Sequence, residues 1–104
     1  HLLTNQIKTI FYQTAASVPS IEQLAYEFGC SSRTLRRDLT TQGSSYQTLL
    51  TEVRVELAKE LLLGTAMSID EIGERLGYSD PANFRRAFKS WLNKTPAQFR
   101  NGLT

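Results

Sequence analysis

Residues 20–29 read SIEQLAYEFG, and residues 68–77, 48 positions later, read SIDEIGERLG. In both stretches the apolar residues are three and four positions apart, which is typical of one face of a helix, and a glycine ends the run. Beyond the glycine the offset becomes 49, so that Leu35 pairs with Phe84 in the basic segment that follows. Each copy therefore predicts a short helix, a glycine turn and a second, basic amphipathic helix, which is the helix-turn-helix pattern.

The turn signals divide the whole chain into seven predicted helices. Alternating β-branched runs are missing, so no strand is predicted. The longest helix is predicted over about 45–63, because its apolar stripe continues without a break. It joins a first helix-turn-helix subdomain, about 4–43, to a second, about 68–101, within one all-α domain, 1–104. The other helices are predicted over about 4–16, after a Ser20 cap, after a Ser31 or Ser32 cap, after a Ser68 cap, and from Asp80-Pro81 and Thr95-Pro96 onward.

The composition is that of an ordinary globular protein, with 40% hydrophobic and 21% charged residues in a chain of 104. Cys30 is the only cysteine and His1 the only histidine, which excludes an internal disulfide and a cysteine-rich zinc site. No catalytic motif or phosphate-binding loop occurs, so no enzyme, metal or cofactor is predicted. No stretch resembles a signal peptide or an apolar run of about 18 residues, which predicts a cytoplasmic protein away from membranes.

Positive charge is unevenly distributed, although the formal net charge is only +2. Positions 81–104 carry five basic residues and no acidic residue, and positions 31–37 carry three arginines. Both basic segments coincide with the second helix of a predicted helix-turn-helix, which in this motif lies in the major groove of double-stranded DNA. The low net charge leaves an alternative open, a helical protein-interaction module that binds no DNA.

The first recognition helix is predicted to bury Leu35 and Leu39 and to present its polar side chains outward. Arginine can donate two parallel hydrogen bonds to guanine O6 and N7, and each such pair discriminates by about 1–3 kcal/mol. Arg36 is predicted to read a base, Arg33 to contact a base or a phosphate, and Arg37 to contact a phosphate or an acidic side chain. The candidate DNA-binding residues of this helix are Ser32, Arg33, Thr34, Arg36 and Arg37.

The second recognition helix is predicted to bury Phe84 and Phe88. Asn83 fits either adenine, whose N6 and N7 it can pair, or the cap of its own helix. Pro81 and Ala82 lack side-chain donors, so this helix is predicted to read sequence weakly and to hold the DNA backbone firmly. The candidate DNA-binding residues are Pro81, Ala82, Asn83, Arg85 and Arg86, and the candidate phosphate contacts are Lys89 and Thr95, the latter with exposed amides at a helix start.

The long helix is predicted to set the spacing of the two recognition helices. About 19 residues at 1.5 Å each give roughly 28 Å, near the ~34 Å between successive major grooves. One chain is therefore predicted to contact two adjacent grooves on one face of the DNA. The stripe of Glu52, Glu56 and Glu60 is predicted to be a solvated face turned away from the phosphates, with docking to RNA polymerase as the alternative.

Four further residues are given structural interpretations. Cys30 is predicted to be a small buried side chain in the first turn. Tyr46 and Trp91 are predicted to be core residues rather than platforms for stacked bases. Arg54, on the long helix, is predicted to form a buried pair with an acidic side chain rather than to contact DNA.

The sequence resembles the AraC/XylS family of transcription regulators over nearly its whole length. The resemblance rests above all on GYSDPANFRRAFK at 77–89 and TPAQFR at 95–100, and also on SIEQLA at 20–25, GCSSRTLRR at 29–37 and Arg54-x3-Ala58-x2-Leu61-Leu62. It implies DNA binding, usually by a transcriptional activator, with base contacts from the start of both recognition helices. It also implies an effector or dimerisation domain elsewhere in the full-length protein. Gly73 stands where the family usually has alanine, and Pro81 and Ala82 stand where it often has polar side chains.

Overall fold

Seven helices occur in residues 2–102, the part of the chain that the computed structural model describes. They are α1 Leu2–Gln13, α2 Ile21–Glu27, α3 Ser32–Thr41, α4 Tyr46–Gly64, α5 Ile69–Arg75, α6 Pro81–Leu92 and α7 Pro96–Arg100. These residues include no strand, so the predicted all-α class and the seven helices are confirmed. The chain divides into two compact units, His1–Val53 and Arg54–Thr104, and the division falls inside α4.

The first helix ends earlier than its predicted end near position 16. The backbone N–H of Thr14 is shared between the carbonyls of Ile10 and Phe11, at 3.0 and 3.3 Å. The Thr14 hydroxyl also donates to the Ile10 carbonyl, at 2.7 Å. The N–H of Ser17 then turns back to the Thr14 carbonyl at 2.9 Å. These shorter-range hydrogen bonds end the helix before the proline at position 19. Proline disfavours helical backbone in the residue that precedes it.

N-cap residues begin the helices where the sequence predicted them. Ser20 Oγ accepts from the Gln23 N–H at 3.1 Å, and Gln23 Oε1 accepts from the Ser20 N–H at 2.8 Å, which is a capping box. Ser31 rather than Ser32 caps α3, because its Oγ accepts from the Thr34 N–H at 3.1 Å. The later caps are Ser68 for α5, Asp80 for α6 and Thr95 for α7.

Glycine makes the turn in both copies of the repeat. Gly29 and Gly77 have φ of 72° and 92°, a region that L side chains rarely adopt. The helix that follows begins at Ser32 in the first copy and at Pro81 in the second. The second turn is therefore one residue longer, as the change of offset from 48 to 49 predicted.

The first unit buries apolar side chains from α1 to α4. Its core residues are Ile7, Phe11, Leu24, Ala25, Leu35, Leu39, Leu49, Leu50 and Val53. Tyr46 packs against this core as predicted, with its ring edge-on to Phe11 at 5.2 Å between centroids and its hydroxyl donating to the Pro19 carbonyl at 2.8 Å. Cys30 is only half-buried, so the predicted buried side chain is wrong; the turn uses its backbone N–H, which donates to the Ala25 carbonyl at 3.0 Å.

The second unit has an aromatic core. Its buried cluster consists of Ala58, Leu62, Ile72, Leu76, Phe84 and Phe88. The ring of Phe88 lies 6.0 Å from Trp91 and 5.6 Å from Phe99, measured between centroids. Trp91 therefore packs against the core, as predicted.

Gly73 on α5 makes room for Phe84 on α6. A Cβ atom at position 73 would lie 2.9 Å from Phe84 Cβ and 3.0 Å from its Cγ, closer than packed side chains approach. The equivalent positions of the first unit hold Ala25 and Leu35, both buried. A larger side chain on the second helix thus accounts for a glycine in the second unit where the first unit has alanine.

Arg54 binds the end of α5 and an aromatic ring. Its Nε donates to the Leu76 carbonyl at 3.1 Å, and its guanidinium carbon lies 4.7 Å from the centre of the Tyr78 ring. The predicted acidic partner is wrong, because a helix-terminal carbonyl and the negative face of a ring satisfy the guanidinium instead. Burial raises the pKa of Tyr78 above its ordinary 10.0, and the charge of Arg54 opposes part of that rise.

Arg100 closes the C-terminal end of α4. Its Nε donates to the Leu62 carbonyl at 2.9 Å, and its Nη2 lies 3.4 Å from the carbonyl oxygens of Leu61 and Thr65. Carbonyls in the last turn of a helix have no donor within the helix, so this side chain supplies one. Arg100, one of the five basic residues at 81–104, therefore has a structural role.

The glutamate stripe on α4 is a solvated face, as predicted. Glu52, Glu56 and Glu60 are all exposed. Lys8 Nζ donates to Glu52 Oε2 at 3.1 Å, and Lys59 Nζ lies 4.0 Å from Glu56 Oε1. Ion pairs this exposed contribute at most about 1 kcal/mol each to stability.

Candidate nucleic-acid interface

The first recognition helix, α3, is amphipathic in the predicted sense. Leu35 and Leu39 are buried on its inner face. Arg33, Arg36 and Arg37 are exposed on the other side. The inner leucines hold α3 against α2. The backbone positions of the three arginines on the surface of the first unit are therefore fixed.

The three arginines of α3 differ in what they contact. Arg33 has no hydrogen bond or ion pair with any residue in the described part of the chain, so its whole guanidinium is available to a ligand. Arg36 Nη2 lies 3.5 Å from Glu22 Oε2 on α2. Arg37 Nε lies 3.8 Å from Asp38 Oδ1, which makes its acid partner the adjacent residue.

Ser32 and Thr34 are half-buried at the start of α3. Thr34 Oγ1 accepts a hydrogen bond from the Ser31 hydroxyl at 3.1 Å. Thr34 thus belongs to the cap network, and its own hydroxyl proton is still available as a donor.

The second recognition helix, α6, repeats this arrangement with aromatic anchors. Phe84 and Phe88 are buried. The predicted DNA-binding positions that share the outer surface of the helix are Pro81, Ala82, Asn83, Arg85 and Arg86, and all of them are exposed.

Asn83 does not cap α6, so that predicted alternative is wrong. The Asp80 carboxylate fills the role, because Oδ1 accepts from the Ala82 N–H at 2.9 Å. Asn83 Oδ1 instead accepts a hydrogen bond from Arg86 Nη2. The amide nitrogen of Asn83 keeps both donors available and Oδ1 keeps a second lone pair, so bidentate pairing with adenine stays open.

Arg85 pairs with Asp70 on α5, through Nη2 and Oδ1. Neither this pair nor the Arg36–Glu22 pair was predicted from the sequence. The repeat itself carried the signal, because Asp70 lies 48 positions after Glu22 and Arg85 lies 49 after Arg36. Alignment of the two copies places an acid and an arginine at equivalent positions of both, and this coincidence could have indicated the pairs.

The predicted phosphate-contacting residues share one surface of the second unit. A shallow groove is lined by Arg85, Arg86, Lys89, Ser90 and Thr95, and no carboxylate lines it. Lys89 is exposed, and its Nζ has no partner between residues 2 and 102. At Lys89 the groove can therefore accept an anion without displacing an acidic side chain.

The amides at the start of α7 are largely occupied, contrary to the prediction that they are exposed. The Thr95 N–H donates to Gln98 Oε1 at 2.9 Å, and the Gln98 N–H donates to Thr95 Oγ1 at 3.1 Å. Pro96 has no N–H, which leaves the Ala97 N–H as the open amide of this turn. The reason is a capping box that the sequence TPAQ encodes.

Residues 2–102 contain neither a cluster of metal ligands nor a helix suited to a membrane. No three of their His, Cys, Asp and Glu side chains come together as metal ligands do. None of their helices combines the length and the apolar content needed to cross a bilayer.

Comparison with known proteins assigns the class. A family model described as a helix-turn-helix domain matches residues 24–102, which include both recognition helices. The chain is thus a helix-turn-helix domain. The ornithine utilization regulator of Pseudomonas aeruginosa is 38% identical over 98 residues, which are 94% of this chain and 29% of that protein.

Solved structures share the fold over nearly the whole chain. The C-terminal domain of AraT, a response regulator from Geobacillus stearothermophilus, has a TM-score of 0.85 and 31% identity, covering 98% of this chain and 86% of that one. The DNA-binding domain of AdpA, a global transcriptional factor solved in complex with a target DNA, has a TM-score of 0.82 and 27% identity, covering 95% and 90%. The chain belongs to the AraC family of helix-turn-helix domains. This family and the named relatives are regulators rather than enzymes, in agreement with the sequence prediction.

Proposed function

We propose that this chain binds double-stranded DNA in a sequence-specific way, as the DNA-binding domain of a transcription activator. The observation that carries the proposal is the repeated surface: in each unit a helix anchored by two buried apolar residues presents arginines outward. Such a helix matches the major groove in size and in the donors that guanine accepts. We further propose that α3 and α6 enter adjacent major grooves of one DNA site, with the helix α4 shared between the two units.

The proposed base contacts come from four arginines. Arg33 and Arg36 act from α3, and Arg85 and Arg86 act from α6. Both acid-paired arginines engage their acid through Nη2 only. Nη2 carries two hydrogens, so the second of them stays available to a base edge together with the neighbouring Nη1 or Nε. Ser32, Thr34, Pro81, Ala82 and Asn83 border these contacts, with Pro81 and Ala82 limited to apolar contact with a thymine methyl.

The proposed phosphate contacts come from Arg37, Lys89 and Thr95. Arg37 is held only by the weak, exposed contact to its neighbour Asp38, which a phosphate can displace. Lys89 and Thr95 line the groove without carboxylates described above. Contacts of this kind hold the protein on the duplex without reading sequence.

The relatives support a regulatory role for the full-length protein. A urease operon transcriptional activator of Escherichia coli is 35% identical over 80 residues, which are 27% of that protein. The chain spans about 29% of the ornithine utilization regulator as well. We therefore propose an effector or dimerisation domain elsewhere in the full-length protein, a cytoplasmic location beside the DNA, and RNA polymerase as a second partner.

The test compares a base contact with a phosphate contact. Arg36→Ala and Lys89→Ala are titrated by fluorescence anisotropy against a duplex recovered from a random pool and against a scrambled duplex of equal composition. Arg36→Ala is expected to lower the ratio of the two affinities by about 5- to 150-fold, since a bidentate pair is worth about 1–3 kcal/mol. Lys89→Ala is expected to weaken both duplexes alike and to lower the slope of log affinity against log salt by about 0.9.

Lys59→Ala is the matched control, because it removes one positive charge from the glutamate face of α4. It is expected to leave the affinity ratio unchanged. Equal losses from Arg36→Ala on both duplexes would rule out base reading by this helix. A wild-type chain that binds neither duplex at low salt would refute DNA binding altogether.

A further inference from the structure

The two acid–arginine pairs occupy equivalent places in the repeat. Glu22 and Asp70 are each the second residue of the first helix of their helix-turn-helix, α2 and α5. Arg36 and Arg85 are each the fifth residue of the recognition helix, α3 and α6. In both pairs the contact runs from arginine Nη2 to one carboxylate oxygen. The same interhelical contact is thus built twice from different acids.

The surrounding surface does not share this repetition. Four positions of α2 and the four equivalent positions of α5 are exposed. The residues at equivalent positions are Glu22 and Asp70, Gln23 and Glu71, Tyr26 and Glu74, and Glu27 and Arg75. Only the first of these pairs keeps the sign of its charge. Glu27 and Glu74 have no cationic partner in the described range. The acid is therefore retained where it meets the recognition arginine and nowhere else on this face.

Stability gives little reason to keep these pairs. The side chains are 58% and 65% exposed in the Arg36–Glu22 pair and 50% and 56% exposed in the Arg85–Asp70 pair. Exposed pairs of this kind contribute only about 0–1 kcal/mol. An acid beside a DNA-binding arginine also repels phosphates, which lowers the affinity for any duplex. A role in recognition explains both the repetition and this cost.

We propose that Glu22 and Asp70 are specificity-determining positioning residues that act through Arg36 and Arg85. Each carboxylate holds one guanidinium on the surface of its recognition helix through a single Nη2 contact, which leaves the other Nη2 hydrogen and the neighbouring Nη1 or Nε to a base edge. Ordering the arginine beforehand lowers the entropy that base reading would otherwise cost. The same restraint keeps the guanidinium from seeking phosphates on unrelated DNA. This inference rests on the proposed function, since it assumes that the chain reads sequence.

The test replaces each acid with its neutral isostere and uses a neutral substitution elsewhere as a control. Glu22→Gln is compared with Glu27→Gln, and Asp70→Asn with Glu74→Gln, so that the change in net charge is the same within each comparison. Affinities are measured by anisotropy for the duplex selected by the wild-type chain and for its scrambled form. Thermal melts followed by circular dichroism check that each variant folds.

Glu22→Gln and Asp70→Asn are each expected to reduce the ratio of selected to scrambled affinity by about two- to fivefold relative to the control, a range set by the strength of exposed ion pairs. Each of these two variants is expected to bind the selected duplex more weakly than its control variant does, and to bind the scrambled duplex at least as tightly as its control. Glu22→Asp, which gives the first unit the acid of the second, is expected to retain most of the ratio. In an Arg36→Ala background, Glu22→Gln is expected to add nothing beyond Glu27→Gln.

The inference would be overturned if Glu22→Gln and Glu27→Gln gave the same ratio of selected to scrambled affinity. It would also be overturned if Glu22→Gln still lowered that ratio in the Arg36→Ala background. In either case a wild-type chain that prefers the selected duplex leaves the proposed function intact. A wild-type chain without any preference among duplexes instead removes the proposed function, and the inference with it.

Discussion

Gly73→Ala tests the packing that positions the second recognition helix. The added Cβ would lie 2.9 Å from Phe84 Cβ, 3.0 Å from Cγ and 3.1 Å from Cδ2, and Phe84 is fully buried, so the ring or the helix must shift. Overpacking of this kind costs about 1–3 kcal/mol. Alanine recovers up to about 1 kcal/mol of helix propensity relative to glycine. A net loss of about 1–2 kcal/mol in the free energy of unfolding is expected.

The assay is urea unfolding followed by tryptophan fluorescence. Trp91 is the only tryptophan, and it packs on the Phe88 ring of the same core, so its emission reports on the second unit. Gly64→Ala is the control, because nothing lies within 4 Å of a Cβ built there. It is expected to be neutral or slightly stabilising.

A second background tests the cause of the loss. In Phe84→Leu, which restores the leucine found at the equivalent Leu35, Gly73→Ala is expected to cost less than about 1 kcal/mol. A Gly73→Ala protein as stable as the wild type would refute the steric account. So would an equal cost with and without the Phe84 ring.

Two further predictions concern the side chains that close the second unit. Arg100→Met removes the donor to the carbonyls at the end of α4, and a loss of about 1 kcal/mol in the same urea assay is expected; an unchanged midpoint would show that water replaces the guanidinium without cost. Because burial raises the pKa of Tyr78, the folded state favours the neutral phenol. The contribution of Tyr78 to the free energy of unfolding is therefore fully present below pH 10, and it is lost as the pH rises through the raised pKa of the folded state. Tyr78→Phe is expected to flatten that part of the curve of unfolding free energy against pH, and identical curves would contradict the burial.

The helices and their caps could be predicted from the sequence because their causes are local. Ser20 and Asp80 cap helices through atoms two or three residues away, so spacing alone reveals them. The buried pairs Leu35–Leu39 and Phe84–Phe88 follow from helical periodicity in the same way.

The partners of long polar side chains could not be predicted in this way. Arg54 and Arg100 bind backbone carbonyls 22 and 38 positions away, and any sequence segment offers such carbonyls. An acidic side chain was the chemically plausible partner for Arg54, but the tertiary fold places the Leu76 carbonyl, at the end of α5, within hydrogen-bonding distance instead. The place of Arg36 and Arg85 beside an acid depends likewise on how two helices pack, although the repeat offered a signal for it.

Selection of bound duplexes from a random DNA pool, followed by footprinting of the recovered site, tests the proposed DNA-binding surface most directly. We expect a motif of two parts whose centres lie about 10–10.5 base pairs apart, with guanines where the arginines of α3 and α6 reach. The footprint is expected to cover two successive major grooves on one face. A pool that shows no enrichment, or protection confined to a single groove, would contradict recognition by two helices.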